Sequence, residues 1–580
     1  EIAIRIARTA ADMGIETVMV HSTDDAAALH VRAGDVVVAL DGAGPAAYLD
    51  QQAITAAAKA AGADAIHPGY GFLSENAEFA AAVVSAGLTF VGPKADAIAR
   101  FGDKGAARAL AKAAGVPIAS GLPAPVTEAD ALAFLNEMGP GGAIMLKAAV
   151  GGGGRGMRPV SNVADLPDAF ARAQAEAEAA FGDGRLYAEK FFQTVRHIEV
   201  QVAGDSAGNA AHTWERECTL QRQRQKIVEI APAPALASGV RARLLDAAVA
   251  LAKAAGLDSL STIEFLVDAK TASDDDNAEI AFIEANARLQ VEHTVTEAVT
   301  GLDLVEIQLR LAEGASLEDV GLSEPPPVQG MALQARINME TMTASGDARP
   351  AGGRFTAFEP PAGAGVRVDH AGYAGLSPSP RFDSLIAKMI VHARSGALAD
   401  VAAKAARALA GFRIEGVPTN ARFLEALLAD EAVTACAFDT QFIEAHAERL
   451  LGVEPPPRRF VEAAPASGGQ AGLAGSKIDA ADPLAVLNFG KQDQAADTAA
   501  PSDAPDGTNV LAAPMQGAVV SLALAAGETV RAGTTILVMD AMKMQHDIRA
   551  DVSGIIRAFA VNEGDVVLEG APLAYIEPAE

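Results

Sequence analysis

Cysteine is nearly absent from this chain: its 580 residues contain only Cys218 and Cys436. Two cysteines cannot build a disulfide framework, so the fold must rest on buried apolar area, and a reducing, cytoplasmic compartment is the default setting. Basic residues are scarce as well. Lys plus Arg number 46 against 74 Asp plus Glu, a formal charge of −28. A general footprint on DNA or RNA needs the opposite balance, so no nucleic-acid partner is expected. No apolar run of about 18 residues occurs, which removes a membrane-spanning helix and with it a membrane partner. The chain opens at Glu1 without a Met, on a helical pattern with no strand before it. A strand preceding Glu1 is therefore expected, with room upstream for a targeting segment.

What is present is enough apolar residue, 50%, for three or four folding units. Residues 1–103 alternate helical and strand patterns: a helix over Ile2–Met13, strands at Glu16–Val20 and Asp35–Ala39, and an Ala-rich helix over 50–62. That alternation predicts a parallel α/β sheet. Residues 104–325 form a mixed unit with a Gly-rich loop, and 326–450 a further α+β unit. Residues 451–508, rich in Pro, Ala, Gly, Asp and Gln, read as a linker. In the last unit, 509–580, Gly517, Gly527 and Gly533 recur 37 residues later as Gly554, Gly564 and Gly570. Two copies of strand, Gly-acid turn and strand predict a small all-β barrel or sandwich. Between the copies, Val538-Met-Asp-Ala-Met-Lys-Met544 reads as a hairpin with Lys543 at its tip. Methionines on both sides of an exposed Lys suggest a surface read by a partner protein.

Three segments carry candidate chemistry. Gly151-Gly-Gly-Gly-Arg-Gly156 follows the strand-like Ala143–Lys147, and four glycines let backbone N–H groups fold over phosphate oxygens. A mobile surface loop accounts for the glycines equally well. In Glu284-Ala-Asn-Ala-Arg-Leu-Gln-Val-Glu292 every second residue is polar, so an extended chain would line one trough with Glu284, Asn286, Arg288, Gln290 and Glu292. Glu264, in a β-like segment, adds a carboxylate, and this donor set suits Mg²⁺ bridging phosphates, while Arg288 suits bidentate anion binding. The alternative is a salt-bridged edge strand. Between the two segments, Thr271–Asn277 reads as a solvated hairpin tip. The basic run Gln221–Lys226, in so acidic a chain, points to a phosphate or bicarbonate pocket; His197 reads as structural or nucleotide-contacting.

Taken together, Ile66-His-Pro-Gly-Tyr-Gly-Phe-Leu-Ser-Glu-Asn76, KAAVGGGGRGM, EANARLQVEHTVTE from Glu284 and EGVPTNARFL from Glu415 resemble biotin carboxylase. Ala513-Pro-Met515 and Asp540-Ala-Met-Lys-Met544 resemble a biotin carboxyl carrier domain. The resemblance implies an α/β and α+β ATP-grasp fold with a lid over about 120–190, followed by the carrier. It implies that Lys104, Lys147 and His197 contact ATP. Gly151, Gly152, Gly153 and Gly154 would cover the phosphates, with Glu189 and Lys190 near adenine. Glu264, Glu284 and Asn286 would hold Mg²⁺ (or Mn²⁺), and Lys226, Arg288, Gln290 and Val291 would hold bicarbonate. Glu292 would act as base, Arg367 would stabilise the biotin enolate, and Lys543 would carry biotin.

The implied activity is ATP- and bicarbonate-dependent carboxylation of biotin through carboxyphosphate. It would serve a carboxyltransferase domain or subunit acting on an acyl-CoA, in a homo- or hetero-oligomer, with biotin protein ligase as a further partner. The short linker tilts the reading towards an acetyl-type or single-chain long-chain-type enzyme, over α-subunits for propionyl- or methylcrotonyl-type acceptors. Another ATP-grasp carboxylate–amine ligase, or a non-catalytic carrier, are the alternatives.

Overall fold

The computed structural model describes residues 1–122, 125–139, 141–148, 157–454, 456–460, 507–541 and 544–578, without the side chains of 179–181, 541 and 544. The Gly151–Gly154 loop, the linker from 461 to 506 and Lys543 lie outside the described residues. Among the described residues no helix is long and apolar enough to cross a membrane.

Helix α1 (Ile2–Asp12) buries Ile4, Ala7 and Ala10, together with Arg5 and Thr9. Behind it Val18–His21 pairs in parallel with Val36–Ala39, and Ala65–Ile66 with Thr89–Phe90. The predicted parallel α/β pattern is thus present as two short pairs.

The scaffold of the molecule is one antiparallel sheet of eight strands: β1 (Val195–Gly204), β2 (Ala210–Glu217), β3 (Val228–Ala231), β4 (Leu260–Asp268), β5 (Ile280–Asn286), β6 (Met331–Asn338), β7 (Val366–His370) and β8 (Leu385–Ala393), in the order β5-β4-β1-β2-β3-β6-β8-β7. It runs without interruption from the segment expected at 104–325 into that expected at 326–450. Strand alternation sorts its faces. Ile198, Val200 and Val202 of β1, with Ile263, Phe265 and Val267 of β4, pack in one core with Val240, Leu244 and Leu251 of helix α2 (Ser238–Ala255). The alternate residues of β1, His197, Glu199 and Gln201, belong to the other face and are buried too.

A β-bulge decides which face β5 offers. Glu264 pairs with Glu284, but the next residue, Phe265, pairs with Phe282. Ile283 is the extra residue, 38% exposed. Core positions accordingly switch from Ile280 and Phe282 to Ala285 and Ala287. The switch carries Glu284 and Asn286 to the polar face, as bulges re-aim side chains.

A four-stranded antiparallel sheet spans Gly121–Lys190 and has its own core around Phe134, Leu146 and Leu186. The Thr271–Asn277 segment is solvated from Ser273 to Asn277, while Ala272 is fully buried and Asp276 Oδ1 accepts from Gly239 N (2.7 Å) at the start of α2.

The C-terminal unit is two four-stranded sheets around Val519, Val530, Met539, Ile556 and Leu573. Its repeat is visible bond by bond. Gly527 N donates to Ile556 O (2.7 Å) and Gly564 N to Val519 O (2.8 Å); Gly533 N donates to Ala550 O and Gly570 N to Ala513 O (both 2.8 Å). Each copy completes the other's sheet, and all four of these turn glycines adopt positive φ between 81° and 94°. Strands Thr535–Ala541 and Met544–Arg549 pair as far as Ala541 and Met544, on either side of residues 542–543.

Candidate active site

Cross-strand register sets Glu284, Glu264, Glu199 and Arg216 in one row over β5, β4, β1 and β2. Like charges opposite one another repel, so three adjoining glutamates need cations among them. Arg216, fully buried, donates to Glu199 Oε1 (2.5 Å). Lys226 meets both Glu199 and Glu264. It ends the hairpin Gln221–Lys226, whose turn residues Gln223 and Arg224 both have positive φ (46° and 67°). Its Nζ lies 2.5 Å from Glu199 Oε2, 3.1 Å from Glu264 Oε1 and 2.7 Å from Glu292 Oε1. The basic run therefore divides: Lys226 enters the acidic cluster, Arg222 is buried against Glu340 (3.0 Å), and Arg224 is exposed at the turn.

Glu264 is also bonded by Asn286 Nδ2 (2.8 Å) and Gln290 Nε2 (3.0 Å), and its Oε2 faces His197 Nε2 at 2.7 Å. Gln221 Nε2 lies 2.8 Å from His197 Nδ1. An amide can only donate there, so the imidazole proton belongs on Nε2, towards Glu264.

The trough expected over Glu284–Glu292 is extended only as far as Asn286. Arg288 N then turns back to Asn286 O (2.9 Å), and Glu292 becomes the residue that precedes helix α3 (His293–Thr300). The chain still returns Gln290 and Glu292 to Lys226, by a turn instead of alternation. Arg288 Nη2 donates to Asn286 Oδ1 (3.1 Å), and its Nε is 3.1 Å from Glu75 Oε2.

Arg336, on β6, was not singled out by the sequence. Its Nη2 donates to Glu292 Oε2 (3.0 Å) and its Nε to Glu229 Oε1 (2.5 Å); Gln334 Nε2 holds the other Glu229 oxygen at 3.0 Å. Burial opposes ionisation of Glu292, but Lys226, Arg336 and Arg216 outweigh it and hold the carboxyl well below its ordinary range. Burial likewise opposes Glu264, which Lys226 and His197 hold well down. Burial also lowers Lys226, yet Glu199, Glu264 and Glu292 carry it well above the usual lysine value. Glu229 goes the other way: burial, helped by Glu292, raises it despite Arg336. Burial and Glu199 push the Cys218 thiol up, which leaves it inert as a nucleophile.

The remaining candidates lie around this cluster. Lys104 Nζ is 3.5 Å from Glu284 Oε2 at its exposed edge. Lys147 Nζ on the small sheet and Arg108 Nη1 on the helix Lys104–Ala113 hold the two oxygens of buried Glu189 (2.6 and 2.5 Å), while Lys190 pairs with Glu279 (2.5 Å). The Val291 carbonyl accepts from Lys388 Nζ (2.9 Å), a fully buried cation that nothing in the sequence marked. Arg367, on β7, meets Glu297, about one and a half turns along α3 from Glu292. It is held by Asp369 through Nε and Nη2 (2.9 and 2.8 Å) and by Glu297 through Nη1 (2.8 Å). A cleft of about 390 Å³ opens there, lined by Arg5, Glu297, Asp303, Arg367 and His392.

Such a cluster, with hard oxygen donors beside buried cations, suits small anions and a divalent ion. Comparison with known proteins places the chain in a family. Residues 1–98 match "Biotin carboxylase, N-terminal domain", 103–320 "Carbamoyl-phosphate synthase L chain, ATP binding domain", 334–445 "Biotin carboxylase C-terminal domain" and 509–576 "Biotin-requiring enzyme". The biotin-dependent acyl-coenzyme A carboxylase alpha3 subunit of Mycobacterium leprae is 37% identical over 100% of this chain and 97% of its own length. The chain belongs to the biotin carboxylase family. Its architecture is the ATP-grasp biotin carboxylase fold followed by an all-β biotinyl domain. Pyruvate carboxylase 1 of Caenorhabditis elegans is 47% identical over 79% of this chain and 38% of its own length; the chain thus spans less than two fifths of that relative. A solved single-chain, multi-domain long-chain acyl-CoA carboxylase matches over 100% of this chain and 50% of its own, at 37% identity and a TM-score of 0.67.

Proposed function

We propose that this chain carboxylates biotin held on its own Lys543, using ATP and bicarbonate, and that the partner carboxyltransferase passes the carboxyl group to an acyl-CoA. The observation that carries the reading is Glu292, a buried carboxylate kept ionised between Lys226 and Arg336 beside the Glu264–Asn286 donor group. For the acceptor, the full-length likeness to an acyl-CoA carboxylase subunit includes the linker and carrier, whereas the likeness to pyruvate carboxylase covers 79% of the chain.

Bicarbonate would lie against Arg288, Lys226, the Gln290 amide and the Val291 backbone. Its oxygen attacks the γ-phosphorus as Glu292 accepts its proton, and the bond to the bridging oxygen of ADP breaks, leaving carboxyphosphate and ADP. As Lys226 turns towards the incoming anion, Glu292 loses part of the charge that weakens it as a base. Lys104, Lys147 and His197 would meet the ATP phosphates under Gly151–Gly154, with Glu189 and Lys190 beside the adenine. The Lys147–Glu189 and Lys104–Glu284 pairs must open to do so. Glu264 and Glu284, opposite one another on adjoining strands, with Asn286 two residues on, are hard oxygen donors that fit Mg²⁺. The ion would supply charge neutralisation for the phosphates. Arg367 would face the ureido group of the acceptor, and carboxyphosphate would break down where water is excluded.

Biotin protein ligase would load Lys543, and the chain would work in an oligomer with its carboxyltransferase. A reducing, cytoplasmic setting suits free Cys218 and Cys436. The purified chain should hydrolyse ATP in a bicarbonate-dependent, free-biotin-stimulated manner, and Glu292→Gln should abolish this while ATP still binds. Absence of that activity from the unmodified chain overturns the reading.

A further inference from the structure

Phe72 stands in a backbone conformation that bulky residues avoid, φ +45°, and leaves half its surface, 51%, in water. Strain combined with an exposed ring is retained only where the surroundings impose it, and such residues gather at functional edges. The ring stacks on Tyr48, centroids 5.3 Å apart and planes at 25°, and Tyr48 meets Phe382 edge-on at 5.9 Å. Leu49, beside Tyr48, is 48% exposed. The shelf so formed is anchored: the Tyr48 hydroxyl donates to Asp25 Oδ2 (2.7 Å) and accepts from Ser22 N (3.1 Å).

The same loop reaches the active site with its other side chains. The Tyr70 ring lies 6.0 Å from Lys388 Nζ, the group that holds the Val291 carbonyl, and Glu75 faces Arg288 at 3.1 Å. Phe72 lies between these two positions and turns outward. The shelf therefore adjoins the place to which the acceptor must be delivered.

We propose that the Tyr48–Phe72–Phe382 shelf is the docking surface for this chain's own carrier hairpin, Asp540–Gln545, whose Met542 and Met544 settle on the rings while Lys543 points past them into the site. The proposal deepens the function inferred above and rests on it. Three observations select this occupant. The hairpin is the part of the chain that brings the modifiable lysine, and its two flanking residues are methionines, whose thioethers favour aromatic rings. The shelf is small, which suits a visitor that must leave again. The 46 residues from 461 to 506 join the carrier covalently to the rest of the chain, so tethering supplies the effective concentration that a small contact lacks.

The test uses the full biotinylated chain and compares two acceptors, tethered biotin and free biotin. Phe72→Asn removes the ring and keeps a residue that tolerates left-handed backbone. It should slow carboxylation of tethered biotin at least tenfold while free-biotin carboxylation stays within twofold. Met542→Ser with Met544→Ser, in chains whose full biotinylation is verified by avidin shift, should give the same selective loss without touching the loop. Combining both changes should add little further loss. Equal loss on both acceptors would place Phe72 in the catalytic pocket and overturn the proposal. So would no loss on either, or a change of oligomeric state on sedimentation, which would make the shelf a subunit interface. Absence of free-biotin carboxylation in the unmodified chain would instead sink the underlying functional reading.

Discussion

Replacing Arg336 by Met tests whether Glu292 is tuned as described. Arg336 lies 3.0 Å from Glu292 Oε2 and only 17% of its side chain is exposed, so solvent screens the pair little. At an effective dielectric of about 20, a unit charge roughly 4 Å away is worth about 4 kcal/mol. At 1.36 kcal/mol per pKa unit that sets an upper limit of about 3 units. Lys226 and Arg216 remain, so a rise of about 1–2 units is the expected outcome.

The sign follows from the direction of the shift. Glu292 is held below its ordinary value, so its contribution to stability is present above that value and disappears as pH falls through the depressed one. In Arg336→Met the loss begins at a higher pH. The assay is the acid limb of the Glu292 carboxyl titration, followed by its carbon-13 chemical shift from pH 2 to 7, beside kcat for ATP hydrolysis with free biotin at pH 8. The acid limb should move up by about 1–2 units. Glu229→Gln should do the reverse, because Arg336 then acts on Glu292 without a competing carboxylate: the acid limb moves down and kcat at pH 8 falls. Removing one member of a buried pair costs about 3–5 kcal/mol. Glu229, already inclined to bind a proton, should limit that cost in Arg336→Met. An acid limb that stays in place, or moves down, in Arg336→Met refutes the reasoning.

Lys226→Met should leave Glu199, Glu264 and Glu292 without their shared cation and cost about 3–5 kcal/mol at pH 8. The folded variant binds protons more readily than its unfolded chain, so the deficit should shrink at pH 6; urea unfolding showing an equal deficit at both pH values contradicts this. A Cβ at Gly554 would lie 2.0 Å from the Glu577 carbonyl oxygen, so Gly554→Ala should destabilise the biotinyl unit by at least about 1–3 kcal/mol. Limited proteolysis and avidin capture should report that loss while ATP hydrolysis with free biotin is unchanged.

Much of this was legible because the strands obey their period. His197, Glu199 and Gln201 alternate with Ile198, Val200 and Val202, and the Gly517/Gly554 repeat announces a two-fold unit before any bond is seen. The Glu284–Glu292 pattern read as one alternating trough, and the structure departs from it in two places. Alternation alone would place Glu284 on the side of Phe282, in the core. The bulge at Ile283 carries Glu284 to the polar face opposite Glu264, and the turn after Asn286 brings Gln290 to Glu264 and Glu292 to Lys226. Neither device has a local spacing to betray it. Arg336 and Lys388 escaped notice for a different reason. Each is a lone cation in an ordinary strand, and its importance comes from carboxylates or a carbonyl over forty residues away in sequence. Arg222 shows the converse: it sits in the basic run with Lys226, yet its partner is Glu340.

The interleaved repeat of the biotinyl unit also has a mechanical meaning. Thr535–Ala541 and Pro572–Pro578 are equivalent strands, so the hairpin after Ala541 corresponds, in the other copy, to the end where the chain enters and leaves beside paired Asn509 and Ile576. The entering strand Asn509–Ala512 runs away from that end, and the chain resumes at Gly517, level with the hairpin, where Ala518 pairs with Asp540. The hairpin and the tether thus occupy opposite ends of a rigid body about seven residues, or roughly 20 Å, long. The body acts as a lever: pivoting at its Asn509 end sweeps its Ala541 end through an arc of that radius.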